Sequence, residues 1–281
     1  MQAVKKNSFA SEMVDSFRVD DGKLPSLPNA VIYLEKAVSD ETVSLSVLAD
    51  LLSKDPVLAA RLLRVSNSTF YRAMSPAENV PAAVTRIGLL ATRNIALGLL
   101  RNSFKARNDV VAAMITELWM ESLKTAAVAN ALAPYYALLD PQRALLGGLM
   151  YNVGAMLLLT KLDEKADTFE RADVQQVVDE HAPEFGIRLL QHWEMDPEII
   201  EVAATRDLWQ RDHDGAPDLA DLVLVARSCI PDVNGRRPDY AQCEALPSYG
   251  RINRYLRLTE PLESVVDAAD EAIERTLDLF F

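Results

Sequence analysis

The sequence predicts an all-α protein built as two helical lobes, and three observations carry that prediction. Apolar residues recur at helical spacing along most of the chain, and no segment alternates with period two between turns. Asp-Pro and Asn-Val-Pro pairs stand where helices would open, with a capping side chain followed by proline in the first turn. The 18 residues 145–162 carry no charge before Lys161, as expected of a helix buried on all sides. That stretch approaches transmembrane length, but Gly147, Gly148, Gly154 and the polar pair Tyr151-Asn152 suit the middle of a soluble bundle.

In chain order, residues 1–23 form an arm, and Leu24-Pro-Ser-Leu-Pro breaks the chain before Asn29, a candidate cap. Val31, Leu34 and Val38 then mark a first helix, and Leu45, Leu48, Leu51 and Leu52 a second. Asp55-Pro56 opens a third with its stripe at Leu58, Leu62, Leu63 and Val65, and Ser66-Asn-Ser-Thr-Phe-Tyr71 ends it. Another helix starts near Asn79-Val-Pro81, is interrupted at Gly88 and resumes to Phe104. Residues 108–132 form a long amphipathic helix stopped by Pro134, and Asp140-Pro141 opens the buried central helix. Two short helices are expected near 183–193 and 197–207, then one over 218–228, one carrying Arg251, Arg254 and Arg257, and an acidic amphipathic helix over 262–281.

Composition bounds the function. The chain has 281 residues, 49% hydrophobic and 25% charged, ordinary for a globular protein with a large core. Residues 1–107 hold 14 Lys and Arg against 10 Asp and Glu, whereas 108–281 hold 15 against 31. This asymmetry places a domain division near 107, a basic lobe over 1–107 and an acidic one over 108–281. The acidic half argues against nucleic-acid binding. No apolar run follows the lysines of Met1-Gln-Ala-Val-Lys-Lys, and Cys229 and Cys243 have no metal or redox spacing, so a cytoplasmic protein without a membrane anchor is expected.

The run Asp55-Pro-Val-Leu-Ala-Ala-Arg-Leu-Leu-Arg-Val-Ser-Asn-Ser-Thr-Phe-Tyr71 resembles the HDOD family of bacterial signalling proteins. The resemblance continues through Leu24-Pro-Ser-Leu-Pro, Val84-Thr-Arg-Ile-Gly-Leu, Arg93-Asn-Ile-Ala-Leu and the central helix, over about residues 24–230. It implies a hallmark segment at Asp55, Asn67, Ser68, Phe70 and Tyr71. It also implies kinship with HD phosphohydrolases, in which histidines and carboxylates converge on a metal that activates water. In this chain the first histidine of that motif aligns with Glu121, and the His-Asp pair with Tyr151-Asn152. The later histidines align with Thr205-Arg206, and the terminal aspartate falls near Arg227. Only His181 stands at a position that is a ligand in relatives, and His213-Asp214 is a loop coincidence.

The resemblance therefore implies a non-catalytic regulatory module in signal transduction, a pseudoenzyme with no metal and no cofactor. Its partner is expected to be a signalling protein, with a nucleotide or other small ligand as a second possibility. If the ancestral pocket persists, Glu121, Tyr151, Asn152, His181 and Arg206 line it, and Arg206 offers a bidentate anion contact. Arg251, Arg254 and Arg257 repeat every third residue and either pair with the chain's own carboxylates or form a candidate anion or partner stripe. The alternatives are a metal-dependent phosphohydrolase and a cyclic-nucleotide-binding sensor. No Walker loop, GxGxxG, HExxH or nucleophile elbow supports other chemistry.

Overall fold

The computed structural model describes residues 24–27, 29–39, 45–68, 71, 75–136, 139–165, 170–231, 236–256, 260–278 and 280. Among the described residues the regular structure is helical, with no strand. The first lobe holds α1 (Asn29–Ser39), α2 (Leu45–Ser53), α3 (Pro56–Ser66), α4 (Val80–Ile87) and α5 (Leu89–Leu97). Asp55 accepts from the amides of Val57 (2.9 Å) and Leu58 (3.1 Å) at the start of α3, and Asn79 accepts from Ala82 (2.9 Å) at the start of α4. Each cap satisfies amides that helix geometry leaves without partners and contributes about 1 kcal/mol. The apolar stripes then meet, with Val31, Leu34, Leu48, Leu52, Leu58 and Leu62 all buried.

The second lobe is assembled around α6 (Asp109–Leu132), the longest helix. Against it pack α7 (Pro141–Met150), α8 (Val153–Lys165), α11 (Leu219–Ser228) and α14 (Leu262–Leu277). The start of α6 is held by Asp163, a buried carboxylate that accepts from the amides of Arg107 (2.6 Å) and Asn108 (2.9 Å).

The central stretch is two helices rather than one, α7 and α8 separated by Tyr151 and Asn152. Its span 141–164 has the length and hydropathy of a membrane-crossing helix, yet 89% of the apolar window is buried inside the protein. Two glycines permit that packing. A Cβ at Gly148 would lie 2.4 Å from Ala126 Cα of α6, and one at Gly154 would lie 2.2 Å from the Ala182 carbonyl oxygen.

The short helix expected near 183–193 is corrected by α9 (Arg171–His192), one 22-residue helix that begins in the preceding polar stretch and runs through Pro183. An interior proline removes one helical hydrogen bond. Here Val178, Phe185, Leu189 and Leu190 are all buried on the same helix, and packing outweighs the local penalty. The next helix, α10 (Pro197–Ala204), stops at Ala204, so Thr205, Arg206 and Asp207 form a turn. A reciprocal capping box between Asp218 and Asp221 opens α11. After α12 (Tyr240–Glu244) and α13 (Pro247–Leu256), the acidic α14 lies along α6 of its own chain, where Thr276 Oγ1 donates to Asn130 Oδ1 at 3.3 Å. Cys229 and Cys243 are buried free thiols.

Polar contacts join the lobes. Asn94 Nδ2 of α5 donates to the backbone oxygen (3.1 Å) and side-chain oxygen (3.0 Å) of Gln142 on α7. Trp193 Nε1, at the end of α9, donates to the Pro25 carbonyl at 2.7 Å.

Candidate functional site

Glu121 projects from α6, Tyr151 and Asn152 from the α7–α8 junction, and Arg206 from the turn after α10. The structure brings these four together through a fifth residue, Arg227 of α11. Arg227 Nε donates to Glu121 Oε1 at 2.9 Å, and its NH1 donates to the Arg206 carbonyl at 2.7 Å and to Asp207 Oδ1 at 3.3 Å. The same guanidinium lies 5.2 Å from the Tyr151 ring centroid and 4.7 Å from that of Trp209, within cation–π range. Arg206 in turn donates through Nε to Asn152 Oδ1 at 2.7 Å and through NH1 to Asp207. Asn152 Nδ2 donates to the Leu118 carbonyl at 3.2 Å, so the buried amide is satisfied at both ends.

The electrostatics are those of a closed network, two guanidiniums against the carboxylates of Glu121 and Asp207. Burial works against the charge of Arg227, but Tyr151, Glu121 and Asp207 outweigh it and hold its pKa above the ordinary value. Burial, and next the nearby Glu121, push the Tyr151 phenol well above its ordinary range. Glu121 and Thr125 stand beside that hydroxyl, but no hydrogen-bond partner reaches it. His181 is elsewhere in its contacts: its Nε2 lies 3.8 Å from Glu180 Oε1 on α9, and none of the described hydrogen bonds joins it to the other four.

The family model for the HDOD domain matches residues 24–207, well over half of the chain. The chain belongs to the HDOD family. Its fold is similar to that of a Shewanella amazonensis protein whose name proposes a metal-dependent phosphohydrolase, with a TM-score of 0.76 at 22% identity over 98% of this chain and 99% of that one. It is similar to an HDOD domain protein of unknown function from Geobacter sulfurreducens, with a TM-score of 0.69 at 23% identity over 96% of each chain. A Marinobacter aquaeolei protein, named as a proposed signal transduction protein, gives a TM-score of 0.61 at 20% identity, with 96% of this chain covering 64% of that one. An uncharacterised Treponema pallidum protein is 24% identical over 91% of this chain, and the chain spans 52% of that relative's length.

Where it is described, the hallmark segment of this HDOD protein is bonded within its own lobe. The Asn67 side chain pairs with Ala77 as a second backbone would, Nδ2 donating to its carbonyl (3.0 Å) and Oδ1 accepting from its amide (2.7 Å). Arg86 NH1 reaches the same Oδ1 at 3.0 Å and the Ser66 carbonyl at 3.1 Å. Ser68 Oγ donates to the Val65 carbonyl at 2.7 Å, Asp55 caps α3, and burial pushes the Tyr71 phenol up to about 12. Phe70 lies outside the described residues.

The arginine series on α13 is not a uniform stripe. Arg251 is 4% exposed and bonds the His213 carbonyl (3.0 Å), Asp221 (2.7 Å) and Asp212 (2.7 Å). Arg254 is exposed, and Arg257 lies outside the described residues.

Two donor sets bear on metal binding. In the cluster aligned with the HD motif, a phenol, an amide and two guanidiniums accompany the carboxylates of Glu121 and Asp207, both already engaged by those guanidiniums. That set does not fit a divalent ion, which needs several imidazole or carboxylate donors. Separately, His213, Asp218 and Asp221 bring potential ligand atoms within 4.8 Å of one another. Arg211 and Arg251 already stand 3.0 and 2.7 Å from Asp221 Oδ1, Ser248 donates to that oxygen at 2.8 Å, and Arg211 takes Asp218 at 2.6 Å. A cation there would have to displace two guanidiniums.

Alignment to a metal-binding motif marks Arg227 only as a lost ligand, and Asp207 and Trp209 not at all. The adjacent Arg206-Asp207 pair was the one available signal, and it becomes meaningful only when the end of α10 is known.

Proposed function

We propose that this HDOD protein is a non-catalytic module of signal transduction that acts by contact with a protein partner or a small ligand. The observation that supports this reading is the Arg227–Glu121 and Arg206–Asn152 pairing, fixed positive charge among the residues that the resemblance aligns with HD metal-ligand positions. A guanidinium neutralises a neighbouring carboxylate, but it has no open coordination position to generate a nucleophilic hydroxide. The buried amide and phenol add no general base. With its polar groups largely consumed internally, the cluster serves to lock α6, the α7–α8 junction, α10 and α11 together.

The discriminating experiment is metal quantification of the purified full chain with a phosphodiesterase assay on bis-p-nitrophenyl phosphate, with and without EDTA. The expected outcome is substoichiometric iron, manganese and zinc and no turnover. Stoichiometric metal together with EDTA-sensitive hydrolysis would favour the phosphohydrolase reading instead.

A further inference from the structure

The two cysteines of the chain have no redox spacing in sequence, yet the fold brings them to one peptide unit. Cys229 directly follows α11, its amide donating to the carbonyls of Val225 (3.2 Å) and Ala226 (3.1 Å). Cys243 lies on α12, whose start is held by Asp239 Oδ1 accepting from the Ala241 amide at 3.1 Å. The Cys243 thiol donates at 3.1 Å to the Ser228 carbonyl, the oxygen of the peptide bond that joins Ser228 to Cys229. On the other side of that unit, Cys229 Sγ lies 4.0 Å from Ser228 Oγ. Both sulfurs are free thiols. Among the described residues no histidine or carboxylate joins them in a metal-binding set, so their chemistry is that of a dithiol.

The cover over the pair is thin. Cys243 is the one buried residue of the five-residue α12, with Ala241, Gln242 and Glu244 exposed and Tyr240 half-buried, so a single short helix separates the thiols from water. Each thiol is the largest influence on the other. The Cys229 thiol holds the pKa of Cys243 below its ordinary value, whereas Cys243 and burial push that of Cys229 far above it. Such a pair gives up its first proton readily and its second with difficulty. Cys243 is therefore the nucleophilic thiolate, and Cys229 keeps its hydrogen.

We propose that Cys229 and Cys243 form a site of reversible two-electron oxidation, which hydrogen peroxide closes to a disulfide within the folded chain. The Cys243 thiolate attacks one peroxide oxygen, the O–O bond breaks, and the departing hydroxide takes a proton to become water, leaving a sulfenic acid. The Cys229 thiol then attacks that sulfur, the S–O bond breaks, and the hydroxyl leaves with the Cys229 proton as a second water. Two thiols lose two electrons and two hydrogens, and one peroxide becomes two waters. The crosslink has a structural consequence. Arg227 stands just before Cys229, and Glu244, next to Cys243, accepts from the Leu262 amide at 2.8 Å at the start of α14. The disulfide thus ties the helix that carries Arg227 to the residue that caps α14. Metal content and turnover, which test the non-catalytic reading, do not bear on this chemistry, and the two stand or fall separately.

The test treats the reduced, folded full chain with hydrogen peroxide, removes the excess with catalase, alkylates remaining thiols in guanidinium chloride and weighs the products by mass spectrometry. The expected product carries no alkyl group, has lost two hydrogens, yields a peptide pair linked through Cys229 and Cys243, and returns to the dithiol with dithiothreitol. Its melting temperature should rise by about 5 °C, because the bond restricts the unfolded chain. In Cys229→Ala the reaction should stop at a sulfenic acid on Cys243, trapped by dimedone. In Cys243→Ala the remaining thiol should oxidise about tenfold more slowly or less. Circular dichroism matching the parent establishes that each variant is folded, and the result on the parent chain stands without them. Thiols that stay reduced, oxygen added to either sulfur in place of the bond, a link between two chains, or a disulfide that forms only after unfolding would overturn the proposal.

Discussion

Arg206 and Asn152 are 54 residues apart in the chain and joined by a 2.7 Å hydrogen bond between two side chains that are both almost fully buried. A charge so deep is tolerated only when paired, and Arg206 has Asp207 as its counter-ion and Asn152 as its second acceptor. Asn152→Leu removes that acceptor and also leaves the Leu118 carbonyl without its donor. Chemical denaturation should show a loss of about 1–3 kcal/mol, the cost of buried polar groups left unpaired. A neutral result would mean that water or another residue takes over both bonds.

Arg227 should be the most costly polar position in the cluster. Removing one partner of a buried ion pair costs roughly 3–5 kcal/mol, but Glu121 is 35% exposed and solvent reduces that figure. Arg227→Met should therefore cost about 2 kcal/mol, and Glu121→Gln in the same chain should restore part of it. A double-mutant cycle checks this, and strictly additive losses would show that the two side chains are not coupled.

Glycines that look alike in sequence should separate sharply. Gly154→Ala places a methyl 2.2 Å from a backbone oxygen of α9, whereas Gly147→Ala meets Val223 Cγ2 at 3.1 Å, the end of a side chain. Urea melts should show Gly154→Ala destabilised by about 3 kcal/mol or more, through forced separation of α8 from α9. Gly147→Ala should change stability by less than about 1 kcal/mol, its better helix propensity offsetting a small shift of Val223.

Asn67→Ala should unfasten the segment after α3. It deletes both bonds to Ala77 and one acceptor of Arg86, and should cost about 1–3 kcal/mol. Hydrogen exchange should place the new opening at residues 75–80 before the second lobe responds. Uniform loss of protection across both lobes would contradict a local fastening role.

High pH should unfold the chain cooperatively. Burial raises the phenols of Tyr71, Tyr136 and Tyr151 above the 10.0 of an exposed tyrosine, to about 12 in the case of Tyr71. The folded state then binds more protons than the unfolded one above pH 10, so this stabilisation is present below that pH and is lost as pH rises beyond it. Absorbance at 295 nm should show these phenols titrating only with loss of helical circular dichroism. Ionisation of every tyrosine with helicity intact would refute their burial.

The sequence by itself determined where most of the helical segments lie and, through Asp55, Asn79 and Asp140, where three of the helices begin, because caps and apolar periodicity are local physics. Its resemblance to HDOD proteins suggested Glu121, Tyr151, Asn152, His181 and Arg206 as one pocket, and the structure brings together all of these but His181. Tertiary structure alone decided that α9 runs through Pro183, since the local penalty is overcome only by burial against α8 and α10. It alone decided that Arg227 completes the cluster and that Arg251 is buried rather than part of a free stripe. Where a charged side chain finds its counter-charge depends on helices brought together across as many as 106 residues, and periodicity within one helix has no information about its neighbours.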